Sequence, residues 1–269
     1  MSARFVGRRP ELAALTGLIR RAILARSAGA ALVSGEPGSG KSRLLAETLR
    51  LPEAPRVVRL VGFEPMQQVP LGAAADLLRV LADAPGDGAA LERLVFGSGD
   101  DQATDPLRIF EAAHRALAAS GALLIAIDDL QWVDERSVAL VHYLLRSASS
   151  SRQSLVVIAM ARPSPVTGAF RAGLEVDLGP GSRVLLDLRP LDRVDGLSLV
   201  RSIDADVDER TAGDLWERAS GSPFWLAALT RSRTASEPGG LIRDRLLDLG
   251  PDAGALMATL AIAGRPLTD

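Results

Sequence analysis

Gly35-Glu36-Pro37-Gly38-Ser39-Gly40-Lys41-Ser42 fits the pattern G-x-x-x-x-G-K-[ST] at every position. Glycines at 35, 38 and 40 let a backbone wrap closely around phosphate oxygens and aim N–H groups at them. A helix opening near Lys41 adds the positive end of its dipole. Among the 31 lysines and arginines of the chain, Lys41 is the only lysine. A planar, forked guanidinium does not fit a cradle shaped for a point charge, so this position selects an ammonium to reach β- and γ-phosphates. Ser42 is the expected Mg²⁺ ligand, and the run from Gly35 to Arg43 is the expected nucleotide contact.

A second group of residues suits the same chemistry. Residues 123–129, Leu-Leu-Ile-Ala-Ile-Asp128-Asp129, read as an apolar strand that ends in two carboxylates. Beside a phosphate loop, Asp128 can hold Mg²⁺ and Asp129 can polarise an attacking water. Asp134 is better read as the cap of the following helix. Arg162, in Ala159-Met-Ala-Arg162-Pro, stands where the next strand ends. It is read as reaching a γ-phosphate across the sheet crevice, with a surface arginine before a turn as the competing account. His114, four residues after Phe110, and His142 read as partly buried packing residues. Trp132, Trp216 and Trp225 read as core anchors.

These residues need a scaffold, and the hydrophobic pattern supplies one. Short apolar runs at 30–34, 56–61, 122–128, 155–161 and 184–188 read as strands, most of them buried on both faces. Segments of helical period lie between them, such as Val138, Val141, Leu145 and Ala148 on one face. Thr104-Asp105-Pro106 is a cap followed by proline at the first helical position. Residues 85–99, rich in Gly and Asp, read as a loop with at most one or two helical turns. Strands alternating with helices predict an α/β fold, a parallel sheet covered by helices on both sides. Beyond residue 188 the strand pattern stops. Ala212, Leu215, Trp216 and Ala219 predict a helix at 208–219, a second follows from about Pro223, and Ile242, Leu246 and Leu249 mark a third. Gly221 is suited to the left-handed stop between the first two helices, and Pro223 to a first helical turn. The expected organisation is an α/β domain over 1–190 and a small helical domain over 191–236. After a hinge at 236–240, a further region at 240–269 begins a helix with no closing element, so the chain reads as a piece of something longer.

Composition narrows the options. A length of 269 residues allows one large domain or two smaller ones. The formal net charge of −2 gives no electrostatic reason for this chain alone to grip DNA or an anionic membrane. With no cysteine and only two histidines, disulfides, thiolate chemistry and histidine-rich metal sites are excluded or remote. No apolar run approaches the ~20 residues that span a bilayer, and the N-terminus lacks the apolar stretch of a signal peptide. The cytoplasm is the expected location.

Taken together, these residues resemble the STAND signalling ATPases, relatives of the AAA+ class with a P-loop NTPase fold. Phe5-Val6-Gly7-Arg8 with Glu11-Leu12 is similar to their "hhGR" opening. The phosphate loop, Asp128-Asp129-Leu-Gln-Trp-Val-Asp134, Arg162 and Gly221-Ser-Pro223-Phe-Trp follow in the family's order and spacing. The family more often has His or Gln where Gln131 stands and Ala where Val133 stands, so these are mild departures. The likeness is nearest to the large ATP-binding regulators of the LuxR type, whose long C-terminal parts end in a helix-turn-helix. The resemblance implies that Val6, Gly7 and Arg8 line the adenine pocket, that Pro223 presses on the nucleotide from the helical domain, and that Arg162 is the sensor arginine. It further implies that 240–269 starts a winged helix. ATP or ADP with Mg²⁺ would be bound, hydrolysis would be slow, and ATP would promote self-association. DNA would be contacted only through a C-terminal domain outside this chain.

Three classes of function are therefore in play. A nucleotide-dependent switch of a transcription regulator leads. An ordinary P-loop enzyme, a small-molecule kinase or repair ATPase, is the alternative, although no acceptor site or arginine-rich lid is evident. A scaffold that binds nucleotide without hydrolysis is disfavoured by the intact Asp128-Asp129 pair.

Overall fold

The computed structural model describes residues 5–52, 54–97 and 105–232. They fall into two compact units, one over 8–189 and one over 190–232 together with 5–7.

In the first unit the five apolar runs become strands: β1 (Ala28–Gly35), β2 (Arg56–Val61), β3 (Leu123–Asp128), β4 (Leu155–Ala161) and β5 (Arg183–Leu188). They pair side by side in the order β2-β3-β4-β1-β5, and every pairing is parallel. The three central strands are buried almost throughout, whereas β2 and β5, at the edges, are partly exposed. Parallel strands need crossover connections, and helices supply them. Those in this unit are α1 (Arg9–Ala25), α2 (Lys41–Leu49), α3 (Ala75–Ala82), α4 (Gly88–Phe96), α5 (Pro106–Ala119), α6 (Glu135–Ser151) and α7 (Pro165–Asp177).

Strand alternation sorts the core into two faces. Ala30, Leu32, Ile125, Ile127, Leu155, Val157 and Ala159 join one large buried cluster with side chains of α3 to α7. The alternate residues of β1 face α1, because a Cβ added at Gly29 would meet Leu18 Cδ1 at 3.0 Å. Leu15, Leu18, Ile19 and Ala22 form the buried stripe of that helix. Each fully buried leucine contributes about 1.5–3 kcal/mol, so the layers hold by area rather than by any single contact. Among the described residues no helix is long and apolar enough to cross a membrane.

Residues 85–99 depart from the expected loop. They contain the nine-residue helix α4, two and a half turns rather than one or two. Leu91 is fully buried, with Leu94 and Val95 packed against the same core. These three carry helical spacing inside a Gly- and Asp-rich frame, and packing against the core overrides the weak local propensity. The sequence reading assigns nothing to α3, although Leu77, Leu78 and Leu81 are all buried there.

Asp134 is the N-cap of α6, its carboxylate accepting from Ser137 N at 2.9 Å. It also accepts from Ser137 Oγ at 2.6 Å, Leu71 N at 2.8 Å and Ala73 N at 3.1 Å, and Ser137 Oγ accepts from Ala74 N. One buried carboxylate thus caps a helix and pins the segment that leads into α3.

The second unit is helical: α8 (Arg193–Ile203), α9 (Glu209–Arg218) and α10 (Pro223–Arg231). Its core joins Leu191, Leu197, Val200, Ala212, Leu215, Leu226 and Leu229, with Val6, Trp216 and Trp225 packed against it. Trp216 donates from Nε1 to Leu191 O at 3.1 Å, and its ring lies so close to Gly196 that a Cβ there would meet Cδ1 at 2.2 Å. The left-handed stop after α9 begins one residue earlier than expected. Ser220 has φ 49° and Gly221 φ 68°, and Ser220 N bonds Glu217 O while Gly221 N bonds Trp216 O, the pairing of a Schellman motif. Gly221 is required for a second reason: a Cβ would come within 2.6 Å of Leu191 O. Pro223 occupies the first turn of α10 as expected. The third predicted helix, the hinge at 236–240 and the region 240–269 lie outside the described residues.

Asp134→Ala should leave three backbone N–H groups and a hydroxyl without their acceptor. At about 1–3 kcal/mol for each buried unsatisfied donor, less local relaxation, the α/β unit should lose about 3 kcal/mol or more, and Asp134→Asn should lose less. Urea unfolding followed by circular dichroism measures this; an unchanged midpoint for Asp134→Ala would mean that water replaces the carboxylate at no cost.

Candidate functional site

β1 ends at Gly35 and α2 begins at Lys41, so the phosphate loop spans the residues between them. Gly38 and Gly40 have φ 78° and 93°, a region that side chains with Cβ enter only with strain. Gly35 is needed for closeness instead: a Cβ would meet Ser39 Oγ at 2.8 Å and Leu188 Cβ at 3.1 Å. Lys41 is 8% exposed and folds back over the loop, donating to Gly35 O at 2.7 Å and Glu36 O at 3.0 Å. An ammonium carries three protons, so two fix the loop and one is free to face a phosphate oxygen. Ser39 Oγ is buried and has no hydrogen-bond partner, which leaves a polar atom inside the cradle for a ligand. Arg8 reaches the loop from the start of α1, donating to Ser39 O at 3.3 Å and to Arg189 O, while pairing with Glu11 at 3.1 Å.

Sheet order brings the other polar groups to the same edge. β4 lies between β1 and β3, and Ser34 pairs with Ala161, so Arg162 follows β4 level with Gly35. Asp128 closes β3 on the far side of β4. Ser42 Oγ donates to Asp128 Oδ1 at 3.3 Å, and Asp129 N donates to the same oxygen at 3.1 Å. Asp129 stands in the left-handed region at φ 52°, which turns the chain sharply after the strand. Behind it Gly62 is so close that a Cβ would meet Asp129 O at 2.1 Å. Arrangement at strand carboxyl ends, where the strand order reverses, is the usual place for a ligand in open α/β sheets.

The electrostatics follow from this crowding. The pKa of Lys41 is lowered, first by burial and then by the Arg162 guanidinium, while Asp129, Asp128 and Glu36 oppose the shift. The two cations therefore sit near enough to repel, and a polyanion between them would relieve both. For Mg²⁺, the hydroxyl of Ser42 beside the Asp128 carboxylate is a hard-oxygen pair suited to the ion. Among the described residues no group of three or more His, Cys, Asp or Glu could hold a metal. The residues fit an ion that completes its shell with water and phosphate oxygens, and not one caged by protein.

The remaining sequence candidates divide. Glu36 and Pro37 are exposed on the loop, and Arg43 pairs with Glu47 at 2.9 Å on α2. Val6, Gly7 and Pro223 belong to the helical unit. There Val6 packs on the core, and a Cβ at Gly7 would meet Asp195 Oδ2 at 2.7 Å. His114 bonds Ser151 Oγ at 3.2 Å, and burial lowers its pKa. His142 lies 4.8 Å from the Phe170 ring in a tilted pair and hydrogen-bonds Asp177 at 2.6 Å, a packing role with one polar contact added. Trp216 and Trp225 are core anchors, whereas Trp132 is only half-buried and the core is filled there by Leu130 and Val133. Sequence reasoning missed Gln131, which is 7% exposed and bonded to both the Asp129 side chain and the Arg162 main chain. Its sequence signals are its place in the Asp128–Asp134 run and a polar residue between Leu130 and Trp132 where the surroundings are apolar; neither shows what its side chain touches.

A sequence model described as AAA ATPase domain matches residues 4–158. No curated protein matches significantly. Among solved structures, one similar protein is a Signal Transduction ATPase with Numerous Domains (STAND) with a tetratricopeptide repeat sensor, from Pyrococcus horikoshii. It superposes with a TM-score of 0.60 at 19% identity, over 97% of this chain and 35% of its own. A Walker-type ATPase of Pyrococcus abyssi gives 0.56 at 16% identity, over 97% of this chain and 78% of its own. The ORC2 protein of Aeropyrum pernix, solved as ADPNP-ADP complexes, gives 0.51 at 16% identity, over 82% and 61%. At such identities the likeness is one of fold, and the chain spans about a third of the STAND protein's length.

The lowered pKa of Lys41 sets a pH dependence. A polyphosphate favours the charged ammonium and raises its pKa, so binding takes up a proton wherever free Lys41 is partly neutral. ATP affinity should hold near neutrality and fall as pH rises through the free-protein value, earlier than an ordinary lysine would allow. Calorimetry in buffers of different ionisation heat reads the uptake. Alkaline binding with no proton uptake would show that the free lysine stays fully charged.

Proposed function

This chain belongs to the AAA ATPase domain family, with its P-loop NTPase fold, and on that premise we propose that it is an ATP-binding, slowly hydrolysing regulatory switch. The observation that carries the reading is the convergence of four charged groups at the carboxyl ends of three neighbouring strands: Lys41 opens α2 after β1, Asp128 ends β3 with Asp129 next, and Arg162 follows β4, and Ser42 touches Asp128. Lys41 and the loop N–H groups hold the phosphates. Ser42 and Asp128 hold Mg²⁺, which when bound offsets phosphate charge. Asp129 orients and polarises water, and Arg162 faces the γ-phosphate. Arg8 braces the loop from outside. Contacts of Val6, Gly7 and Pro223 with the base are assigned by the resemblance alone.

The finer reading is the nucleotide module of a LuxR-type transcription regulator in the cytoplasm, self-associating on ATP and reaching DNA through a region outside these 269 residues. Its support is the run of motifs from Phe5-Val6-Gly7-Arg8 through Asp128–Asp134 to Gly221-Ser-Pro223-Phe-Trp. The small net charge of −2 also agrees with a module that leaves DNA contact to another part.

Three substitutions test the assignments. Lys41→Ala should lower ATP affinity at least tenfold, on the order of 1.4 kcal/mol, with circular dichroism unchanged; equal affinity in a folded variant would remove Lys41 from the phosphates. Asp129→Asn should keep nucleotide binding and depress hydrolysis, because an amide is no base. Arg162→Ala should narrow the difference between ATP and ADP affinity, and equal losses for both would make it a structural arginine. A switch should turn over far below the ~10 per second typical of enzymes. Rapid phosphate transfer to a small-molecule acceptor would point to the kinase alternative.

A further inference from the structure

Gln131 lies in the single turn Leu130–Trp132 that follows Asp129, and it is buried. Its amide is used at both ends. Nε2 donates to Asp129 Oδ1 at 2.8 Å, and Oε1 accepts from the backbone N–H of Arg162 at 3.0 Å. The main-chain oxygen of Gln131 accepts from Gln67 Nε2 at 3.2 Å, so the turn itself is held from the segment after β2.

The chemistry of the neighbours leaves one orientation for this amide. A backbone N–H only donates and an ionised carboxylate only accepts. Turning the amide over would set N–H against N–H and oxygen against oxygen. The Arg162 end is fixed in turn: its carbonyl accepts from Thr167 Oγ1 at 2.6 Å, and Thr167 N bonds Ser164 Oγ at the start of α7 at 3.1 Å. A chain of directed bonds therefore runs from the start of α7, through the end of β4, to the carboxylate at the end of β3.

We propose that Gln131 is a positioning residue, which aims the Asp129 carboxylate by reference to the Arg162 main chain. Asp129 itself stands in the left-handed region and is only part-buried, so without that bond its side chain is free to change rotamer. With it, a movement of the Arg162 backbone is passed to the carboxylate across a single amide. The inference rests on the reading of Asp129 as the group that polarises water.

Gln131→Leu removes both bonds, while Gln131→Glu keeps an acceptor for Arg162 N–H and loses the donor to Asp129. In the nucleotide-free protein, hydrogen exchange at the Arg162 amide should speed up in Gln131→Leu and stay slow in Gln131→Glu. With Mg-ATP, both variants should lose at least tenfold in kcat, with ATP affinity within about twofold of the wild type. In the background of Asp129→Asn, Gln131→Leu should cost nothing further, since the residue acts through Asp129. If the wild type shows no turnover, the hydrolytic reading fails and takes this inference with it. If the wild type turns over and Gln131→Leu matches it, only the inference falls. Equal losses in affinity and kcat, or an additive double variant, would make Gln131 a general structural support and overturn it too.

Discussion

A buried ammonium is costly unless its surroundings compensate it, and the polar edge of the α/β unit is organised around that requirement. Lys41 meets it in part with two carbonyls of its own loop, which is why the loop needs left-handed glycines: only a tightly wound backbone turns those oxygens inward. The rest comes from the sheet. Asp128 and Asp129 oppose the lowering of the Lys41 pKa, while Arg162 adds to it. The lowering that remains comes first from burial and then from Arg162, and an anion placed against the ammonium offsets both.

The segment from Asp128 to Asp134 performs a second task, joining elements that the sheet alone would not align. Its residues face different partners: Asp128 faces Ser42 on α2, Gln131 faces the end of β4, and Asp134 holds the entry to α3. Each bond uses a side chain three residues from the next, so the geometry of one short turn sets distances among four elements. The close approach of Gly62 to the Asp129 carbonyl leaves the turn no room to relax on that side.

The strands were legible because their signal is local. A buried parallel strand is a continuous apolar run, and the runs at 56–61 and 155–161 coincide with β2 and β4. Caps were equally readable at Asp105 and Asp134, where the carboxylate bonds a backbone N–H two or three residues on. What could not be read was long-range. The burial of α4 depends on Leu91 meeting a core assembled from distant segments, and the role of Gln131 depends on β4 lying next to β3. The phosphate loop stood out because glycine spacing is dictated by the backbone itself. Gly221 is left-handed as its type suggests, but the Schellman stop opens one residue earlier at Ser220, a serine held in the left-handed region beside two backbone hydrogen bonds that no sequence rule announces.

The metal donors bear on what kind of device this is. Ser42 and Asp128 offer one hydroxyl and one carboxylate, and no third acidic or histidine ligand joins them among the described residues. Mg²⁺ demands six oxygens at short distance and gives up water reluctantly, so such a pair does not retain the ion unless phosphate oxygens complete the shell. On the proposed reading the metal, the Lys41 proton and the Arg162 contact would all depend on the same ligand. Contacts that are each weak alone would reinforce one another once the nucleotide excludes water from them. Such coupling would suit the proposed switch, since four ionisable groups gathered at one sheet edge would answer to one ligand.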